Sequence, residues 1–237
     1  MELKVDILAF GVHPDDVELG CAGTLIKHVK NGKKVGIVDL TKGQLGTRGT
    51  PELRLKEAAL AAEIIGAEFR DNLEMEDGFF ENNWENKLKI IQKIRQYRPD
   101  VIICNAPNDR HPDHGRAAAL VKEAAFYSGL RKITTVWNGN TQESWRPEFV
   151  YHYIQDYYIK PSMVVDITPY FEQKMKAIKA FSSQFYNPQS TEPVTPIATK
   201  EFLEVVRGRA LEFGRLANTV YAEGFVSDKP VVLNFLV

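Results

Sequence analysis

Residues 5–20 read VDILAFGVHPDDVELG, and they contain both of the patterns from which the fold can be predicted. The first half of this stretch, Val5–Val12, is a short apolar run of the kind that forms a strand. Proline follows the histidine at position 13, where it suits the first turn of a helix, and a helical pattern then runs from Val17 to Asn31 and stops at Gly32. The stretch therefore predicts a strand that leads into a helix, as in a βαβ unit.

The same alternation of strand and helix continues along the chain and becomes less regular beyond Ser128. Further strands are predicted at Lys34–Thr41, Glu68–Leu73, Val101–Asn105, Phe149–Gln155 and Met163–Ile167, and further helices at residues 53–66, Trp84–Tyr97, Tyr170–Phe185 and Thr199–Thr219. A loop with three prolines separates the last two helices and has the character of a flap over a site. We predict an α/β fold: a doubly wound, mostly parallel, Rossmann-like sheet with helices on both faces and a less regular C-terminal part, in a single domain over residues 1–237.

The composition narrows the classes of partner. Lysine plus arginine (30) nearly balances aspartate plus glutamate (31), so the net charge gives no reason to expect nucleic acid or an anionic membrane. The N-terminal segment lacks the basic region of a secretory signal, and no apolar stretch approaches the roughly 20 residues of a membrane-spanning helix. Cys21 and Cys104 form no C-x-x-C pair, which suits a reducing compartment. We expect a soluble, cytoplasmic protein.

Two similar tetrapeptides contain three of the five histidines: His13-Pro14-Asp15-Asp16 and His111-Pro112-Asp113-His114. Each follows an apolar strand and precedes a helix, which places both at the carboxyl ends of strands. In the common doubly wound order the first and fourth strands are neighbours, and ligands bind in the crevice between them. We therefore expect the two tetrapeptides to face each other across one site.

The residue types of these tetrapeptides suit a metal. Two imidazoles and one carboxylate around an open position form the ligand set of a catalytic zinc site, and the same set can hold Fe²⁺. The alternative interpretation is that both tetrapeptides are polar helix caps, with aspartates favoured by the helix dipole. Because two such clusters lie at equivalent strand ends, we prefer the interpretation as a metal site over that as helix caps. His28 and His152 lack such neighbours, and we interpret them as ordinary helix and strand histidines.

The two tetrapeptides, together with the R-x-x-E-A pattern of residues 54–58, resemble the PIG-L/LmbE-like family of N-acetylglucosaminyl deacetylases. The resemblance covers most of the chain, including residues 73–78 and 221–225. It is greatest to the branch that removes acetate from N-acetylglucosaminyl malate in bacillithiol synthesis. Relatives of this type are often multimeric, so the resemblance implies a homo-oligomer, with a hexamer as one form.

The resemblance implies a role for each motif residue. His13, Asp16 and His114 would bind the metal, zinc first and Fe²⁺ or another divalent ion second, and Asp15 would be the general base. A protonated His111 would stabilise the tetrahedral intermediate, with Asp113 hydrogen-bonded behind it. The leaving amine would take its proton from Asp15, or alternatively from His111.

Three further residues are expected to contact the substrate. Arg54 matches a substrate-contacting arginine of the family, and Arg110 directly precedes the second tetrapeptide, where its guanidinium fork suits a carboxylate of a malate group. Asp77 is a candidate for binding sugar hydroxyls. The tryptophans are more typical of core or interface positions than of sugar platforms, and Trp145, in the irregular loop, is kept as the candidate platform.

Other functions fit less well. A nucleotide-binding protein or dehydrogenase would show G-x-G-x-x-G after the first strand, where this chain has GVHPDDVELG. A deacetylase of another N-acetylated sugar, such as a chitooligosaccharide, a mycothiol-type precursor or an antibiotic intermediate, would use the same chemistry and stays open. A metal-binding protein without catalysis would leave Asp15 and His111 without a role.

Overall fold

A computed structural model of the chain describes residues 3–231. Strands and helices alternate through its first half, as the apolar pattern predicts. The elements in chain order are β1 (Ile7–Gly11), α1 (Asp16–Lys30), β2 (Val35–Thr41), α2 (Pro51–Ile65), β3 (Phe69–Met75), α3 (Trp84–Tyr97), β4 (Val101–Cys104), α4 (Pro112–Ser128), β5 (Val136–Trp137), β6 (Asn140–Thr141), β7 (Phe149–Tyr153), β8 (Met163–Asp166), α5 (Phe171–Lys179), α6 (Lys200–Leu216) and β9 (Ala222–Val226).

The main sheet has seven strands in the order β3-β2-β1-β4-β7-β9-β8. All of its strands run parallel except β9, which pairs antiparallel with both β7 and β8. In the centre, Ile7 of β1 lies beside Val35 of β2 on one side and Val101 of β4 on the other. This confirms the predicted doubly wound sheet and the neighbouring positions of the first and fourth strands.

Helices cover both faces of the sheet because alternate residues of each strand point to opposite sides. Leu8 and Phe10 of β1 belong to an apolar cluster with residues of α3 and α4. Ile7 and Ala9 belong to a second cluster, on the other face, with residues of α1. All five residues of β1 are buried, so the strand that carries the first tetrapeptide is held from both sides.

Local signals fix where the helices begin and end. The Thr50 side chain accepts a hydrogen bond from the Leu53 N–H at the start of α2, and Pro51 occupies the first turn. Gly66 ends that helix in the left-handed conformation (φ 85°), which glycine adopts without strain. Pro112 begins α4 directly after His111. The second tetrapeptide is thus the amino end of a helix.

The structure differs from the sequence predictions in the second half of the chain. α5 ends at Lys179, not at Phe185. The serines beyond it form other hydrogen bonds: the Ser183 N–H and hydroxyl both donate to Glu57 of α2, which competes with helical pairing. β9 was not predicted, because a short segment with Glu223 and Gly224 lacks a strand pattern.

The proline-rich loop is tied to the chain after β2. Arg48 donates hydrogen bonds to the backbone oxygens of Ser183 and Pro193 and to the Ser190 hydroxyl.

Both cysteines are buried and unpaired, as predicted, and burial raises the pKa of each thiol. Within residues 3–231 no helix is long and apolar enough to cross a bilayer.

Candidate metal centre and catalytic site

The two histidine tetrapeptides meet at the carboxyl ends of β1 and β4, as predicted from the strand order. The ring centroid of His13 lies 4.7 Å from that of His111 and 5.7 Å from that of His114, and the two rings of the second tetrapeptide are 5.4 Å apart. A cavity of about 290 Å³ opens above them, and both tetrapeptides line it. The site therefore lies at the crevice where doubly wound sheets bind ligands.

Asp15 lies at the turn between β1 and α1 in a backbone conformation that side chains rarely adopt, with φ 133°. Such conformations store strain and persist where the surrounding structure enforces them. Here the neighbouring residues do so, because the Asp16 carboxylate accepts the His13 N–H at 2.9 Å and closes the turn. The Asp15 carboxylate is buried and accepts from the Arg54 guanidinium at 2.9 Å. Burial raises the pKa of Asp15, and the Arg54 charge opposes that rise.

Asp16 is held by donors from three other parts of the chain. Asn105, in the loop after β4, donates to it at 3.0 Å, and Gln155, after β7, donates at 2.7 Å. His114 Nε2 lies 3.3 Å from Asp16 Oδ1, the oxygen that Gln155 also contacts. Burial alone would raise the pKa of Asp16, but the charge and hydrogen bond of His114 hold it well below its usual range. Asp16 is thus a fixed carboxylate anion between the two tetrapeptides.

Each of two histidines has one ring nitrogen against a carboxylate and the other towards Asp16. His114 Nδ1 contacts Asp109 at 2.8 Å. His13 Nε2 contacts Asp77 at 3.0 Å, and its Nδ1 lies 3.7 Å from Asp16. Burial disfavours the charged rings, but the carboxylates around them outweigh it. Asp113, Asp77 and Asp16 raise the pKa of His13 to about 9, and Asp16 and Asp109 raise that of His114 to about 10.

This donor set fits a divalent metal. Nitrogens of His13, His111 and His114 lie within 4.8 Å of one another, and ligand atoms of His13, Asp77 and Asp113 are equally close. The first group contains two of the three predicted ligands, His13 and His114. Histidines that ligate a metal usually donate their other N–H to a carboxylate, and the Asp109 and Asp77 contacts have that form. Imidazole and carboxylate together are typical zinc ligands, and they also suit Fe²⁺.

The arrangement around His111 differs from the expected one. The Asp113 carboxylate does not lie behind His111; it accepts from the Gly78 N–H and from Arg116, and it lies 3.5 Å from His13 Nε2. The Asp113 backbone N–H instead donates to His111 Nδ1 at 3.3 Å, because His111 is the N-cap of α4.

The charge expected on His111 also differs. Burial, together with the charges of the other two histidines, lowers the pKa of His111, so its neutral ring is favoured. The neutral ring then carries its proton on Nε2, since Nδ1 accepts a hydrogen bond.

The three predicted substrate contacts all line the cavity. Arg54 is buried, and its Nε finds no hydrogen-bond partner among residues 3–231. Arg110 lies at the rim and donates to Asp156 at 2.8 Å. Both oxygens of Asp77 have protein partners, His13 and the Leu45 N–H, so this residue lies behind a histidine and its sugar contact stays a prediction.

Sequence reasoning missed three side chains that organise the site: Asp109, Asn105 and Gln155. Asp109 lies five residues before His114, and a carboxylate next to a histidine motif was a usable signal. Gln155 contacts Asp16 across 139 residues of sequence, and the residues around either position give no signal from which this contact could be predicted. Trp145 packs against an apolar cluster and its N–H donates to the Pro99 oxygen, so it has the core position favoured from the sequence and is not the sugar platform.

The fold and the paired histidine tetrapeptides define a class of protein, and comparison with known proteins identifies it. The chain belongs to the PIG-L family, whose model, described as GlcNAc-PI de-N-acetylase, matches residues 8–125. The family predicted from the motifs is therefore confirmed. Diacetylchitobiose deacetylase of Thermococcus kodakarensis is 30% identical over 229 residues, which cover 92% of this chain and 81% of that protein.

Two further relatives extend this result. A probable N-acetyl-alpha-D-glucosaminyl L-malate deacetylase 2 of Bacillus anthracis is 27% identical over 198 residues, which cover 78% of this chain and 84% of that protein. The crystal structure of a conserved protein from Thermus thermophilus superposes with a TM-score of 0.87 at 36% identity, covering 98% of this chain and 99% of that one. By their names, the two deacetylases act on different sugar substrates.

Proposed function

We propose that this protein is a metal-dependent hydrolase that removes the acetyl group from an N-acetylated amino-sugar conjugate. The observation that carries the proposal is the position of Asp15. Its carboxylate lies in the same cavity as the candidate metal ligands, is bound by Arg54 and has a raised pKa. A carboxylate beside a metal site but outside its ligand set is suited to accept and return a proton.

We assign the metal to His13, Asp16 and His114. The support is the fixed Asp16 carboxylate, which lies 3.3 Å from His114 Nε2 and 3.7 Å from His13 Nδ1. Zinc is the first choice and Fe²⁺ the second. When bound, such an ion supplies a water of lowered pKa and polarises the amide carbonyl.

Asp15 then acts as the general base that takes a proton from the attacking water at its carboxylate oxygen. Arg54 donates to Asp15 Oδ2 and holds the carboxylate in one orientation. After the attack, Asp15 returns this proton to the nitrogen of the leaving amine. The alternative donor expected from the sequence, His111, is set aside, because its neutral ring has no acidic proton to transfer.

His111 is assigned to the developing oxyanion. Its Nδ1 accepts from the Asp113 N–H, so the Nε2–H of the neutral ring can donate to the former carbonyl oxygen. The initial expectation of a charged His111 is replaced by a neutral donor, in keeping with the lowered pKa.

Two substrates are candidates. N-acetylglucosaminyl malate is our first choice, supported by the overall resemblance, by the Bacillus anthracis relative and by Arg110 at the cavity rim. A chitooligosaccharide such as diacetylchitobiose is the alternative, supported by the Thermococcus kodakarensis relative.

The first experiment measures the release of primary amine from both substrates and from free N-acetylglucosamine, after chelation and after addition of Zn²⁺ or Fe²⁺. We expect release that stops on chelation and returns with metal. Metal-dependent release with a preference for one conjugate identifies the substrate, whereas no release with either metal would contradict the function.

Asp15→Asn tests the role of the base. We expect the variant to bind metal with wild-type stoichiometry and to lose about 100-fold or more in kcat, since general acid–base catalysis contributes about that much. Metal content by mass spectrometry and amine release are the two readouts. Asp100→Asn, which removes a surface carboxylate paired with Lys4, is the control and should keep full activity. An active Asp15→Asn enzyme would exclude the assignment.

A further inference from the structure

A half-buried arginine of α6 lies in the wall of the cavity close to the proposed metal centre. Arg209 Nη1 donates to the backbone oxygen of Gln155 at 2.5 Å, and the Gln155 side chain donates to Asp16 at 2.7 Å. One residue therefore separates the Arg209 guanidinium from a candidate metal ligand. Arg209 lines the same cavity as the two histidine tetrapeptides.

The positive charge of Arg209 is not balanced by the protein. Among the residues that the structure describes, its hydrogen-bond partner is a neutral carbonyl, and no carboxylate pairs with it. Burying part of a charge without an opposite charge is unfavourable in free energy, and an anionic ligand would remove that penalty. The remaining N–H groups of this guanidinium are free to bind such a ligand.

A second guanidinium contacts the same segment of the chain. Arg110 lines the same cavity and donates from Nε to Asp156 at 2.8 Å. Gln155 and Asp156 are consecutive, so Arg110 and Arg209 contact adjacent residues of one segment. The charge of Arg110 is matched by Asp156, whereas that of Arg209 is not. This corner of the cavity therefore carries one excess positive charge.

The same helix also contributes apolar side chains to the wall of the cavity. Phe202 and Val206, on neighbouring turns of the helix, line the cavity, and so does the buried Phe213 further along it. Apolar walls lower the local dielectric constant and strengthen the attraction between a guanidinium and an anion. Arginine binds carboxylates through two parallel hydrogen bonds, which fix the orientation of the anion as well as its position.

We propose that Arg209, together with Arg110, binds a carboxylate on the aglycone of the substrate, so that the enzyme selects sugar conjugates with an acidic aglycone. This inference rests on the proposed function and adds a specificity-determining residue to it. A neutral disaccharide such as diacetylchitobiose offers no anion for this position.

A purely structural role for Arg209 makes a different prediction. Arg209 contacts the Gln155 oxygen, and Gln155 contacts Asp16, so loss of the arginine could displace a metal ligand. That displacement would slow every substrate to the same extent. The decisive quantity is therefore the ratio of kcat/KM for an acidic conjugate to that for a neutral one.

The test compares N-acetylglucosaminyl malate with methyl N-acetylglucosaminide in the metal-loaded enzyme. We expect the wild type to prefer the acidic conjugate and Arg209→Gln to lower the ratio about tenfold to 100-fold, the range for losing a charge-assisted pair. Arg209→Lys, which keeps the charge without the fork, should give an intermediate ratio. Arg215→Gln, at an exposed position of the same helix, is the matched control and should leave the ratio at the wild-type value.

A binding measurement supports the kinetic one and needs no turnover. Calorimetric titration with glucosaminyl malate, the deacetylated product, should show an affinity loss of the same size in Arg209→Gln. The proposal is overturned if Arg209→Gln has the wild-type ratio of kcat/KM for the acidic and the neutral conjugate. Equal slowing of both substrates leaves this ratio unchanged and therefore counts against the proposal. A wild type that deacetylates both substrates without preference overturns it as well and leaves the deacetylase function intact. Release from neither sugar contradicts the function itself, and the titration then decides the anion site alone.

Discussion

Asp109 is a buried carboxylate that contacts the nitrogen of His114 facing away from Asp16. Its Oδ2 lies 2.8 Å from His114 Nδ1, and its Oδ1 accepts the N–H groups of Arg110 and Tyr157. Burial alone would raise the pKa of Asp109, but the His114 hydrogen bond and these N–H groups lower it. The carboxylate is therefore ionised, and it fixes both the tautomer and the orientation of the ring.

Removing this charge should weaken metal binding. We expect Asp109→Asn to raise the Kd for zinc about tenfold to 100-fold, the usual effect of losing a carboxylate behind a metal histidine. A competition titration with a chromophoric chelator measures this directly. Asp156→Asn is the control, because it removes a carboxylate near the rim that contacts Arg110 and no histidine. Equal zinc affinity in Asp109→Asn and the wild type would show that Asp109 does not act through His114.

The same histidines predict how metal binding depends on pH. With no metal bound, the pKa of His13 is about 9 and that of His114 about 10, so both rings carry an extra proton at neutral pH. A metal must displace those protons, because it binds the unprotonated nitrogen. Affinity should therefore rise with pH up to about 9 to 10 and fall in acid.

Calorimetry in buffers of different ionisation enthalpy measures the displaced protons. Near pH 7.5 we expect the release of about two protons for each zinc ion bound. A titration without proton release would contradict either the ligand assignment or the raised pKa values.

At the scale of elements, a buried ion pair joins three of them. Lys174 of α5 and Glu223 of β9 are each about 3% exposed and contact at 2.6 Å. Glu223 also accepts the N–H groups of Gly23 and Thr24, and Lys174 donates to the Leu19 oxygen, all within α1. The pair thus takes part in the backbone hydrogen bonding of the helix that begins at Asp16, directly after Asp15.

Breaking this pair should strongly destabilise the protein. Lys174→Met leaves Glu223 buried without its cation, and losing one member of a buried pair costs about 3–5 kcal/mol. Denaturant unfolding measures the loss. Lys176→Met, at an exposed position on the same helix, is the control and should change the free energy of unfolding by less than about 0.5 kcal/mol. Adding Glu223→Gln to Lys174→Met should recover part of the stability, and no recovery would show that the unpaired charge is not the cause.

For the whole molecule, local sequence patterns predicted the alternating strands and helices of the first half of the chain. The bounds of α3 and the order of strands up to β4 follow from apolar periodicity, proline and glycine, which act over a few residues. The two tetrapeptides could be placed together because the doubly wound order makes their strands neighbours.

The remainder depends on contacts between distant parts of the chain. β9 is a strand because its backbone pairs with β7 and β8, although Glu223 and Gly224 are poor strand formers. The direction of the Asp113 carboxylate towards Gly78, and that of Gln155 towards Asp16, are likewise set by packing and have no local signal.

The position of β9 between β7 and β8 also bears on the order of folding. A ribosome releases the chain from its amino end, so β1 to β4 can pair while the second half is still being made. β8 joins the main sheet through β9, which emerges almost 60 residues later, and Glu223 bonds to Gly23 across 200 residues. The hydrogen bonds between the first helix and the Glu223 side chain can therefore form only after β9 has been synthesised. At that stage the nascent chain would already place both tetrapeptides at the sheet. The wall of the cavity formed by α6, with the proposed specificity residue Arg209, would be added later.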